Sequence, residues 1–144
     1  MDIFEAYEMS EEAVENGVWA ELVVKGEQIG RVRVRSSDPD INPDYRSGLS
    51  VSALATIAMD KSANGADLSA QKDDLAIALL VDTVLTDWEL YKMNGEGKEV
   101  KIKFTKGKAK QLLKKLPKLR AAVERASANW TSYRRTAVDE TVKI

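Results

Sequence analysis

Five acids stand in or beside the most strongly patterned stretch of this sequence: Asp73, Asp74, Asp82, Asp87 and Glu89. Two carboxylates converging on one substrate atom could run general acid–base chemistry. Asp82 and Asp87 are five residues apart, so on a helix their side chains do not converge. Asp73 and Asp74 fall near a helix start, where acids are favoured by the helix dipole without any catalytic role. The chain has no His and no Cys. That removes imidazole and thiolate metal sites, Cys nucleophiles, His-based triads and disulfides together. Carboxylate-only chemistry survives the exclusion but little else does, and the spacing argues against a small carboxylate-based hydrolase. The sequence therefore assigns no catalytic, cofactor-binding or metal-binding residue, and no enzyme activity is expected.

Other motifs are weaker. Gly95-Glu96-Gly97 is too short for a phosphate loop, and Thr105-Lys106-Gly107-Lys108 lacks the upstream strand and glycines such a loop needs. Asn129-Trp130-Thr131 spells a glycosylation sequon. It is expected to be a coincidence, because the acidic start lacks the basic segment of a signal peptide. Lys106, Lys110 and Lys114 recur at four-residue steps and line one helical stripe. Such a stripe is a solvated face, a dock for an acidic protein, or a nucleic-acid contact. Trp130 and Tyr133 fall on an apolar stripe instead, so core packing explains them better than base stacking. Trp19 and Trp88 read as large apolar anchors.

These residues need elements to position them. Leu75–Trp88 places Ile77, Leu80, Val81, Val84 and Trp88 on one helical face. The spacing predicts a central core helix ending near Trp88. Val18–Val24 and Ile29–Arg35 read as a β-hairpin joined by Gly26-Glu27-Gln28. Ser10 is the N-cap of a short helix to Glu15, stopped by Asn16-Gly17. Ser36–Asn42 is a loop, and Asn42-Pro43 opens a helix with Tyr45, Leu49, Ala53 and Ile57 on its inner face, Met59 or Ala58 extending the contact, and Asn64-Gly65 as its stop. Asp67 or Ser69 caps the next helix.

Beyond Trp88, Met93–Gly97 is a turn. Val100, Ile102 and Phe104 alternate as one further short strand, pairing with Glu89–Lys92 or with the hairpin. Thr105 caps a helix with Ala109, Leu112, Leu113 and Leu116 as its apolar stripe. Pro117 kinks it or opens the next. Leu119, Ala122, Val123, Ala126, Trp130, Tyr133 and Ala137 predict one long final helix. The expected fold is α+β and mainly helical: an N-terminal β-hairpin packed with about four helices. Residues 1–144 form a single domain, with 1–16 and 139–144 as flexible ends.

The 144 residues hold 22 Lys plus Arg and 23 Asp plus Glu, for a net charge of −1. That balance gives no global argument for nucleic acid or an acidic membrane, and no apolar run reaches transmembrane length. Charge is nonetheless segregated. Met1–Glu27 has Lys25 as its only base, whereas Lys98–Arg125 is strongly basic. The two halves either pair internally or leave a basic face for an acidic partner.

The order Gly17-Val18-Trp19, Asn42-Pro43-Asp44-Tyr45 and Val84-Leu85-Thr86-Asp87-Trp88 resembles the tail assembly chaperones of long-tailed bacteriophages. So does the sequel: Gly97 and Val100, Phe104, Leu112-Leu113, Leu116-Pro117 and a closing amphipathic helix. The resemblance runs from Gly17 to Tyr133 and rests on order and spacing. It implies a non-enzymatic factor of the host cytoplasm, absent from the finished virion, that binds the long helical tape-measure protein. The tail tube protein is a further candidate partner, and self-association is open. Many members are also made in a longer, frameshifted form. No partner-binding residue is carried over. The alternative function is a nucleic-acid-binding accessory protein using residues 98–125.

Overall fold

A computed structural model describes residues 1–62, 68–137 and 142–143. Six α-helices are described: α1 (Ile3–Tyr7), α2 (Glu11–Asn16), α3 (Pro43–Ser62), α4 (Leu68–Thr83), α5 (Lys106–Lys115) and α6 (Pro117–Ala128). The strands are β1 (Val18–Val24), β2 (Glu27–Val34), β3 (Leu85–Met93), β4 (Glu99–Ile102) and the two-residue β5 (Val142–Lys143). They form one sheet in the order β4-β3-β2-β1-β5, antiparallel except where β5 runs parallel to β1. The fold is α+β with an N-terminal hairpin, as the patterning predicts, but β3 and β4 enlarge that hairpin into a sheet.

One face of the sheet is the core. Ala20, Leu22, Val32 and Val34 of the hairpin meet Ile77, Leu80 and Val81 of α4. Ala109 and Leu113 of α5 and Ala122, Val123 and Ala126 of α6 complete the cluster. The opposite face carries polar rows, Trp19–Arg33–Asp87 and Glu21–Arg31–Glu89. Several local signals act as predicted. Ser10 accepts the Ala13 N–H to start α2, and Gly17 ends it at φ 91°. Thr105 accepts the Lys108 N–H to start α5. Pro117 opens α6 as its first residue rather than kinking α5, and β4 pairs with β3, not with the hairpin.

Leu75–Trp88 is not one helix. α4 ends at Thr83 and β3 begins at Leu85, which puts Trp88 in an interior strand. Ile77, Leu80 and Val81 keep their helical face, while Val84 and Trp88 are buried beyond its end. No Gly or Pro marks the boundary. The stop is tertiary: Asn42 Nδ2 donates to the Thr83 carbonyl at 2.8 Å, and the Arg35 N–H donates to the Val84 carbonyl at 2.8 Å.

The final helix is shorter than predicted. α6 ends at Ala128, and two 3₁₀ turns follow, Trp130–Tyr133 and Arg135–Ala137. These keep about three residues per turn, so Tyr133 and Ala137 still reach the core. Trp130 does not; it sits at the surface, stacked on Tyr7 at 5.9 Å.

The hairpin turn is Lys25-Gly26, both at positive φ (52° and 78°), so Glu27 and Gln28 belong to β2. The acidic start holds α1 as well as α2. Ser69 lies inside α4 and does not cap it; Asn64-Gly65 and Asp67 lie outside the described residues. Of the end expected to fray, Val142–Lys143 form β5, opposite Ala20 and Glu21. Asp139, Glu140, Thr141 and Ile144 lie outside the described residues.

Candidate functional site

Asn42 roots a two-helix arm. Its Oδ1 accepts the N–H groups of Asp44 and Tyr45, both at 3.1 Å, which starts α3. Its Nδ2 donates to the carbonyls of Ser36 and Thr83 at 2.9 and 2.8 Å, and the residue is fully buried. The four bonds bring the start of α3 to the end of α4, so the two helices run back along each other.

They pack through small side chains. The face of α3 turned to α4 is Tyr45, Gly48, Ser52, Ala55 and Met59, at steps of three and four. A Cβ at Gly48 would lie 2.6 Å from Leu79 Cδ1, so glycine permits the close approach. This corrects the predicted inner stripe of Tyr45, Leu49, Ala53 and Ile57, of which only Tyr45 lies on the packed face. Small residues hold the middle of the contact between Tyr45 and Met59, and Val51, Leu54 and Ile57 point outward.

The outward face is therefore unusual for a helix at a surface. Val51 is 68 % exposed, Leu54 69 % and Ile57 53 %, at three-residue steps, with Leu49 at their flank. Between Arg46 and Asp60 the helix has no charged residue. A shallow groove of about 310 Å³ runs beside this stripe, lined by Gly48, Val51, Ser52, Ala55, Leu75 and Leu79. An uncharged apolar stripe at i, i+3 spacing is the contact surface one helix offers to another.

The acids weighed for catalysis divide between α4, which carries Asp73, Asp74 and Asp82, and the polar face of β3, which carries Asp87 and Glu89. Asp73 pairs with Arg120 at 3.5 Å and Asp74 with Lys114 at 3.0 Å. Asp82 meets Lys106 and Lys110 at 3.9 and 3.8 Å. Glu89 takes two hydrogen bonds from Arg31, each 2.7 Å, across β2 and β3. Those bonds, and then the guanidinium charge, hold the Glu89 carboxyl below its ordinary range. Asp87 accepts the Trp88 N–H at 2.8 Å. Among the described residues no cluster of acids is arranged to hold a metal.

The lysine stripe thus lies against α4 and its acids. The internal pairing suggested by the charge segregation exists, but with α4 rather than with the acidic N-terminal segment. The surface cation–π contact of Arg31 over Trp19, 4.0 Å from the ring centroid, was not legible in advance, because it depends on strand register.

A protein-family model described as YdaY prophage protein matches residues 41–143. The chain belongs to the YdaY prophage protein family. The match begins at the residue before Asn42 and takes in the arm, β3, β4, α5, α6 and β5; the N-terminal helices and hairpin lie outside it. Comparison with curated proteins and with solved structures returns no match. Among the described residues no helix is long and apolar enough to cross a membrane.

Proposed function

We propose that this prophage protein is a tail assembly chaperone, a non-enzymatic factor that holds the helical tape-measure protein before the tail tube closes around it. One observation carries the reading: the uncharged apolar stripe of Val51, Leu54 and Ile57 on the outer face of α3. A long amphipathic helix needs such a surface to stay soluble, and the arm offers it on a folded scaffold. Prophage membership and the resemblance from Gly17 to Tyr133 support the same reading. The nucleic-acid alternative is less well supported, since Lys106, Lys110, Lys114 and Arg120 of its basic segment already face the acids of α4.

Co-expression with the tape-measure protein of the same prophage tests it. The wild-type chain is expected to yield a soluble complex, and Leu54→Lys with Ile57→Lys to abolish it. Both positions are exposed, so the variant should keep its stability to within about 0.5 kcal/mol. Absence of a complex with the wild type, or an undiminished complex with the variant, overturns the proposal.

A further inference from the structure

Both ends of the charge segregation keep charges that no ion pair among the described residues uses. Residues 1–16 carry six acids and no Lys or Arg, while 98–125 carry eleven bases and two acids. In the folded chain these segments do not neutralise each other. Four of the bases face α4, and of the N-terminal acids only Glu8 has an ion pair among the described residues, with Arg135 outside the basic segment. Glu5, Glu12 and Glu15 make none with any described residue, and neither do Lys115, Lys118 and Arg125; all six are exposed.

Each segment also presents an apolar anchor. α1 buries none of its residues. Ile3, Phe4 and Tyr7 share one of its faces, with Phe4 68 % exposed, and Tyr7 extends that face by stacking on Trp130. At the elbow between α5 and α6, Leu116 is 44 % exposed between Lys115 and Lys118. One surface is thus apolar and bordered by the acids of α1 and α2, with Arg134 and Arg135 along the side where Met9 and Glu8 meet them, and the other is apolar with a basic rim.

We propose that copies of this chain associate head to tail, the acidic aromatic patch of α1 and α2 seating on the basic α5–α6 elbow of the next copy. The occupant is a second copy because the chain itself supplies the surface of opposite sign with a matching apolar projection. The two patches differ, so the contact is heterologous, and its repetition gives a ring or an open chain. It uses neither α3 nor the groove beside it, and it stands or falls independently of the chaperone reading.

Sedimentation velocity of the full chain tests it. The wild type is expected to sediment as more than one copy at low salt. It should become a monomer at about 1 M salt, where the screening length falls to about 3 Å. Glu5→Lys/Glu12→Lys/Glu15→Lys and Lys115→Glu/Lys118→Glu/Arg125→Glu should each be monomeric at low salt, with circular dichroism unchanged. Mixed in equal amounts, the two reversed variants should associate again, because each then offers the surface the other needs. Phe4→Ser, which leaves every charge in place, should weaken association on its own. A monomeric wild type at low salt, association that survives either reversal, or a mixture that stays monomeric overturns the proposal.

Discussion

Asn42 donates one amide hydrogen to the carbonyl of Thr83 at 2.8 Å, so the residue that starts α3 also ends α4. Replacing it with Ala removes the α3 cap and leaves two carbonyls without their donor. The expected cost is about 2–4 kcal/mol, from a lost cap and buried unsatisfied groups. Asn42→Asp separates the two roles. A carboxylate still accepts the N–H groups of Asp44 and Tyr45 but sets negative charge against the Ser36 and Thr83 carbonyls. Urea melts should find the Asp variant well below wild type. A variant as stable as wild type would mean that the donor side contributes nothing.

Trp88 is buried in β3, donates its indole N–H to the Ile102 carbonyl at 2.7 Å, and meets Phe104 edge-on at 5.0 Å. It therefore ties β3 to the end of β4 as well as filling the core. Trp88→Ala is expected to cost about 3–5 kcal/mol, the range for truncating a buried aromatic. Chemical denaturation measures it. A loss below about 1 kcal/mol would show that the site collapses around the smaller side chain.

What can be read in advance divides along the range of the forces. Caps at Ser10, Asn42 and Thr105 act within three residues, and each is legible from the local sequence. The end of α4 is not, because its signal is a side chain 41 positions away. Val84 and Trp88 fit the helical spacing from Ile77, yet Trp88 and Leu90 also fit strand alternation, so periodicity alone does not place the boundary. The inner face of α3 escapes pattern reading for a related reason. Patterning turns large apolar residues inward, whereas this helix packs through Gly48, Ser52 and Ala55. The outward apolar stripe, the core of the candidate site, is visible only once α4 is in place beside them.

Arg31 and Glu89 offer a pH test on the polar face of the sheet. Glu89 is held below its ordinary value, chiefly by the hydrogen bonds from Arg31. A depressed carboxyl contributes stability that is present above its unfolded pKa, about 4.3, and is lost as pH falls through the folded value. Glu89→Gln should therefore be less stable than wild type near neutrality, with the gap closing as the solution is acidified below that value. Urea midpoints across the acid range check this. A gap independent of pH would assign the loss to packing and not to the charge.

Tyr133 supplies the alkaline counterpart. It is fully buried, and its hydroxyl donates to the Val34 carbonyl at 2.8 Å, locking the 3₁₀ turn after α6 onto β2. Burial pushes the phenol above its ordinary value of 10.0, with the nearby Arg35 charge acting the other way. Below about pH 10 the phenol is protonated folded and unfolded, and Tyr133→Phe should cost about 1–2 kcal/mol for the lost hydrogen bond. Above that pH the unfolded chain releases the proton while the folded chain keeps it, so wild-type stability declines with rising pH. The phenylalanine variant has no such proton to release. The stability gap between wild type and variant should therefore narrow as pH rises past about 10. Denaturant midpoints of the two proteins, taken in parallel from about pH 8 to 11, measure the gap directly. A gap that stays constant or widens would show that the hydroxyl ionises at least as readily in the fold as outside it.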